Sequence, residues 1–175
     1  MEKYFLIGAL IVAIVGAAKD LHGRRIPNLL TYSGLLSGLA VRLVVSGWPG
    51  LKGGTAGVVL AGGIFFVLFA LGSVGGGDVK LMAAVGAWAG VAQVVTILLA
   101  ASMIGGVMAA ICVLSRKQVR PTILNTVELI RHHLTSGLQP HPALNVRRES
   151  TLRLPYGLAI AMGTLYCVAN VFWWR

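Results

Sequence analysis

The chain has 175 residues, of which 57% are hydrophobic and 11% are charged, and its formal net charge is +10 at pH 7. Soluble domains carry roughly 45–50% apolar and about 25% charged residues, so this composition excludes an ordinary soluble protein and indicates an integral membrane protein. Nucleic-acid binding is not predicted, because no basic stripe with interleaved aromatic residues is present. The Lys and Arg residues fall mostly in loops beside apolar runs, where they orient a membrane protein and contact anionic lipids.

Cysteine and histidine give no sign of a metal site. Cys112 and Cys167 both lie inside apolar segments, so they predict neither a disulfide framework nor a zinc site. His132, His133 and His141 lie in the polar part of the chain and lack the HExxH spacing of a zinc peptidase. We therefore expect no metal and no other cofactor.

The apolar runs predict an all-α polytopic membrane protein of about six transmembrane helices in a single domain, residues 1–175. The first run is expected to stay uncleaved, because the segment before it is nearly neutral and several positive charges follow it. Arg42 lies near the outer end of the second run, and we expect its side chain to extend to the membrane surface. Length alone does not decide whether the short fourth run crosses fully. The predicted spans are residues 4–21, 27–46, 53–71, 79–90, 91–115 and 154–174.

The third and fourth spans carry small residues at helical spacing, which predicts close helix packing. The residues that repeat on one face are Gly53, Gly57 and Ala61 in the third span, and Gly86 and Gly90 in the fourth. This is a packing signal and does not by itself indicate chemistry.

The charge distribution predicts that both termini lie outside. With six spans, eleven Lys and Arg residues fall on the cytoplasmic side, and three (Lys3, Lys52 and Arg175) fall outside. The basic loop 116–153 is then cytoplasmic, and residues 122–134 within it have the pattern of an amphipathic helix lying on the membrane. We expect anionic lipids to contact this loop. The same topology places the chain's two aspartates, Asp20 and Asp78, at one cytoplasmic edge of the bilayer.

Each aspartate has an ordinary interpretation when taken alone. Asp78 follows three glycines and precedes an apolar helix, where an aspartate commonly caps the helix. Asp20 ends the first apolar run beside Lys19 and would then be an interfacial residue. Acids at the edge of a membrane are rare and usually functional, however, so the two together favour a site. The glycines would allow unusual backbone conformations and leave room for a peptide substrate.

Two neighbouring carboxylates have the chemistry of an aspartic protease. Because close like charges do not readily ionise together, they share one proton, and the pair can activate a water and protonate the leaving amine. The helix dipoles further predict that Asp78, before a helix, is the ionised member. Asp20, near a helix C-terminus, would then be the protonated member.

Three motifs together resemble the type IV prepilin peptidase family. Gly75, Gly77 and Asp78, followed by Lys80, fit its GxGD motif. Asp20 with Ile26-Pro27-Asn28 resembles its first-aspartate region, and Pro155-Tyr156-Gly157 resembles the start of its last helix. The resemblance implies that Asp20 and Asp78 are catalytic. The residues that it implies shape the site or bind substrate are Gly75, Gly77, Lys80, Pro27, Asn28, Pro155, Tyr156 and Gly157.

The resemblance also implies a function. The family cleaves the short leader peptide of pilin-like precursors at the cytoplasmic face of the inner (plasma) membrane, so those precursors would be the partners. Longer members carry a cytoplasmic insert with CxxC pairs and also N-methylate the new terminus. This chain lacks that insert, so we expect no methyltransferase activity. Its small size resembles the peptidases of tight-adherence (Flp) pilus systems.

Three alternatives remain open from the sequence. A small transporter or channel component would use the two aspartates for ion binding, although it would place them nearer the bilayer midplane. A structural component of a secretion system would tolerate Asp→Asn changes. A protease of the signal-peptide-peptidase type would carry a YD motif, which is missing, and a PAL motif before a late span. Pro142-Ala143-Leu144 spells PAL, but it lies in the polar loop.

Overall fold

The computed structural model describes residues 2–23, 26–137, 139, 141, 144 and 155–173. These residues form helices and no strand, which confirms the all-helical prediction. Four of the helices, α1, α2, α3 and α5, are long and apolar enough to cross a membrane. The helices are α1 (Glu2–Gly23), α2 (Asn28–Ala70), α3 (Gly76–Ser115), α4 (Val119–Ser136) and α5 (Tyr156–Trp173).

Several features of the sequence fall outside the described residues. They include most of loop 116–153 beyond Gly137, the first two residues of the PAL triplet and both ends of the predicted last span. The basic residues in this group are Arg24, Arg25, Arg147, Arg148, Arg153 and Arg175.

Each of the two longest helices is interrupted at one glycine. Gly47 in α2 (φ 61°, ψ −153°) and Gly90 in α3 (φ 71°, ψ 172°) have left-handed backbones that favour glycine. The chain reverses direction at the first break. The evidence is a contact across it, since a β-carbon added at Gly54 would lie only 3.1 Å from Cδ2 of Leu39. A straight helix would separate those residues by about 22 Å. Both breaks lie at the ends of predicted apolar spans.

Small residues allow α2 and α3 to pack closely, as their spacing predicted. A β-carbon added at Gly57 would overlap the carbonyl oxygen of Gly86, and one added at Gly86 would lie 2.5 Å from the carbonyl oxygen of Gly57. Ala61 continues this contact and is fully buried. Backbone atoms therefore touch directly at this crossing, which brings the first half of α3 and its aspartate against α2.

Arg42 does not extend to the membrane surface, and that expectation is wrong. Its side chain is only 7% exposed and lies among three helices. Its Nε donates to the carbonyl oxygen of Trp88 at 2.9 Å, and its guanidinium carbon lies 4.5 Å from the ring centre of Phe5. The break at Gly90 frees the Trp88 carbonyl from its usual intrahelical partner, because the last carbonyls of a helical segment are unpaired. Arg42 thus connects α1 and α2 to the break in α3.

Because the backbones touch at Gly57 and Gly86, we expect one added methyl group at Gly57 to lower the stability of the folded protein. Gly57→Ala would force the backbones of α2 and α3 apart, with a destabilisation of about 1–3 kcal/mol. We expect a clear fall in the melting temperature of the detergent-purified protein. Gly63→Ala in the same helix is the matched control, because a β-carbon there meets nothing within 4 Å. Equal melting temperatures for the two variants would contradict this account of the packing.

Candidate active site

Asp78 is held by the first turn of its own helix. Gly75 precedes α3 with an extended backbone, and its N–H donates to Oδ2 of Asp78 at 3.1 Å. Asp78 occupies the third position of the helix and reaches back to the capping residue, as the acidic member of a capping box does. The sequence placed Asp78 before the helix as its cap, and that position is wrong, because Gly75 is the capping residue; Asp78 contributes to the cap from inside the first turn. A cap uses one oxygen of the carboxylate, so it does not prevent a second role.

The glycines before Asp78 have close neighbours but no left-handed backbone conformation. Gly75 has φ −81°, and the positive-φ glycines of the described chain lie elsewhere, at Gly47, Gly72, Gly90 and Gly137. A β-carbon on Gly75 would lie 3.3 Å from Oδ2 of Asp78, and one on Gly77 would lie 3.3 Å from Cβ of Ile26. The expectation of unusual backbone conformations is wrong. In this structure Ile26 occupies the space beside Gly77.

Asp20 is held by a different helix. It lies in the last turn of α1, and its Oδ2 accepts a bond of 3.1 Å from the N–H of Gly157, the second residue of α5. Gly157 is buried, and a β-carbon there would lie 3.1 Å from the same oxygen and 3.3 Å from Cα of Ala17. A larger residue at this position would force the Asp20 side chain or the backbone of α1 to shift.

This contact corrects the argument from helix dipoles. The sequence places Asp20 at the C-terminal end of α1, where the dipole disfavours an anion. The fold also places it at the N-terminal end of α5, where the free N–H groups favour an anion. Each aspartate therefore has a glycine N–H at a helix start as its partner, and at Asp20 the favourable end of α5 opposes the unfavourable end of α1.

The fold brings the two aspartates together from distant parts of the sequence. Both side chains are half-buried, and the two carboxylates lie within electrostatic range of each other. In each carboxylate, Oδ2 accepts a hydrogen bond from one backbone N–H, which fixes the orientation of the aspartate side chain. A carboxylate offers about four lone-pair sites, so each keeps capacity for a proton, a water or a substrate amide. This is what a pair that shares one proton requires.

The side chain of Tyr156 lies near Asp78. Its hydroxyl is hydrogen-bonded to Ser102 and lies within electrostatic range of Asp78. Its ring packs edge-on against Phe65, with centroids 5.7 Å apart, and lies over Gly105, where a β-carbon would come within 2.9 Å of the ring. Ser102, Phe65 and Gly105 were missed by the sequence analysis. The only local signal was the glycine at Gly105 in an apolar helix.

The remaining predicted residues surround this centre. Lys80 donates from Nζ to Oδ1 of Asn28 at 2.7 Å, which links α3 to the start of α2. Pro27 precedes α2 with an extended backbone, so that helix begins one residue later than predicted. Pro155 immediately precedes α5, and its carbonyl accepts the Leu158 N–H at 3.1 Å. These residues lie at the starts of α2, α3 and α5, and the carboxylates are held at the last two of these starts.

Among the described residues, no group of three or more His, Cys, Asp or Glu could hold a metal ion.

Comparison with known proteins identifies the family. Curated proteins and solved structures give no match. A sequence model of the type IV leader peptidase family matches residues 6–110, which is more than half of the chain and includes both aspartates. Together with its long apolar helices, this match shows that the chain is a membrane protein that belongs to the type IV leader peptidase family.

Proposed function

We propose that this protein is a membrane-embedded aspartic endopeptidase that removes the leader peptide of type IV pilin-like precursors. The observation that carries the proposal is the meeting of Asp20 and Asp78, from two separate helices, within electrostatic range. Membership of a leader peptidase family supports the substrate class. Two oriented carboxylates at the end of a helical bundle support the aspartic mechanism.

In this mechanism the two carboxylates exchange protons with water and substrate. One ionised carboxylate removes a proton from the attacking water while the protonated one donates to the carbonyl oxygen of the scissile peptide bond. The resulting tetrahedral intermediate breaks when a proton passes to the leaving amine. No cofactor takes part. Because Gly75 and Gly157 hold one oxygen of each carboxylate, the other oxygens remain available for these transfers.

The proposed topology has six spans, both termini outside, and the site at the cytoplasmic face of the inner membrane. The glycine breaks support it, since they divide α2 and α3 at Gly47 and Gly90 and yield two helical segments from each. The excess of basic residues in the proposed cytoplasmic segments supports the orientation. In this topology Asp20 and Asp78 lie at the cytoplasmic side of the membrane, where the leader peptide of the precursor would be cleaved.

Surrounding residues would shape the substrate site, and the proposed activity is cleavage alone. Tyr156 lies within electrostatic range of Asp78. Lys80, two residues after Asp78 on α3, is hydrogen-bonded to Asn28 at the start of α2. We propose that the enzyme cleaves without methylating the new terminus, because the chain has no CxxC insert.

Replacing either aspartate should abolish cleavage. We expect Asp20→Asn and Asp78→Asn each to slow cleavage of a co-expressed pilin-like precursor by at least about 1000-fold, because neither amide can exchange a proton as a carboxyl does. The readout is the shortening of the precursor on a gel, with membrane insertion measured in parallel. Glu128→Gln, at an exposed acid on α4, is the control and should cleave normally. Normal cleavage by both aspartate variants would reject the mechanism.

Gly157 should be required for the position of Asp20. Gly157→Ala places a methyl group against the Asp20 carboxylate and the backbone of α1, and we expect cleavage to fall about 10- to 100-fold as the carboxylate shifts. The measured quantity is the initial cleavage rate of the purified enzyme. Gly106→Ala is the matched control, since a β-carbon there meets nothing within 4 Å. An unchanged rate for Gly157→Ala would show that this close approach does not matter to the reaction.

A further inference from the structure

Helix α4 carries an apolar face that the described part of the protein does not cover. None of its residues is buried. Five of its apolar side chains recur at helical spacing and fall within an arc of about 80°, at 100° per residue, while Leu124 and Leu129 lie outside this arc. We name this face the apolar stripe; its members are Val119, Ile123, Val127, Ile130 and Leu134, which are 41–82% exposed.

The charges of α4 are arranged around this stripe. At helical spacing, Arg120 and Arg131 lie about 20° from each other and directly beside one edge of the stripe. Glu128 lies on the opposite side, about 140° from its centre. Two further basic residues, Arg116 and Lys117, precede the helix. An apolar face bordered by arginines, with the acid turned away, is complementary to a surface that is apolar below and negative above.

The position of α4 in the chain indicates what covers the apolar stripe. Helix α3 is apolar enough to cross a membrane and ends at Ser115, and α4 begins at Val119 after a tight turn in which Lys117 has φ 53°. The start of α4 is therefore tied to the level at which α3 leaves the bilayer. Helix α4 itself is not among the candidate spans. At about 27 Å, it is long enough to lie along the surface with its whole stripe in contact.

We propose that α4 lies in the plane of the membrane, with the apolar stripe in the boundary between headgroups and acyl chains. Arg120 and Arg131 bind the phosphates of anionic lipid headgroups from the edge of the stripe. The inference does not depend on the peptidase reaction. It assigns a lipid-binding surface to the basic segment after α3. The competing occupant of the same face is a protein, either a second copy of this chain or another partner.

The depth of α4 can be measured in the full-length protein. In a chain with Cys112→Ala and Cys167→Ala, a nitroxide label is placed at Val127→Cys on the stripe, or at Asn125→Cys on the opposite face as the matched control. The samples are vesicles of phosphatidylcholine with about 30% phosphatidylglycerol. Collisions of each label with oxygen, which partitions into lipid, and with a water-soluble nickel chelate are compared by electron paramagnetic resonance.

We expect the label at position 127 to be accessible to oxygen and protected from the nickel chelate, with the reverse pattern at position 125. Equal access of both labels to the nickel chelate would overturn the proposal, because α4 would then lie in water. Protection of position 127 from both reagents, with an immobilised spectrum, would also overturn it, because a protein would then cover the stripe.

The role of the arginines is tested with the same label at position 127. Arg120→Gln with Arg131→Gln should weaken surface binding of α4 by about fivefold per arginine, and so reduce oxygen access relative to nickel access. Arg120→Lys with Arg131→Lys keeps both charges and should retain the original ratio. Vesicles of phosphatidylcholine alone should reproduce the effect of the glutamine variant. If neither the glutamine variant nor the neutral lipid changes the ratio, the assignment of anionic headgroups as ligand is wrong.

Discussion

Two half-buried carboxylates lie near each other only if the protein compensates for their loss of contact with water and for their mutual repulsion. This chain supplies one backbone N–H to each, from the start of α3 to Asp78 and from the start of α5 to Asp20. The rest of the site depends on these two bonds. The glycine at position 157 lets α5 pack closely against Asp20 and α1, and the neighbouring Tyr156 lies within electrostatic range of Asp78.

The far end of the bundle supports the same arrangement. Gly90 lies about 18 Å along α3 from Asp78. There Arg42 binds the carbonyl that the break exposes and packs on Phe5 of α1. Between the two ends, Gly57 and Gly86 hold α2 and α3 in direct backbone contact. The first half of α3 is thus fixed along its length, which gives Asp78 a rigid base.

The local patterns of the sequence predicted much of this architecture. Apolar runs predicted the long apolar helices, and the small-residue faces at Gly57 and Ala61 and at Gly86 predicted close helix packing, although not which helices would meet. The rarity of aspartate predicted which two residues would meet. The failures concern contacts between distant segments. The partner of Arg42 is a carbonyl created by a break in another helix, and the partner of Asp20 is the start of α5. No local pattern contains either contact, so the argument from dipoles considered only α1 and missed α5.

The central claim is that Asp20 and Asp78 act as one unit, and the most direct test is the rate of precursor cleavage by the double variant Asp20→Asn/Asp78→Asn beside both single variants. Groups that act together are strongly non-additive, because removing either one already removes the function of both. The account predicts that the double variant cleaves at about the same residual rate as each single variant. A double variant whose loss equals the product of the two single losses would contradict it, since the aspartates would then contribute independently.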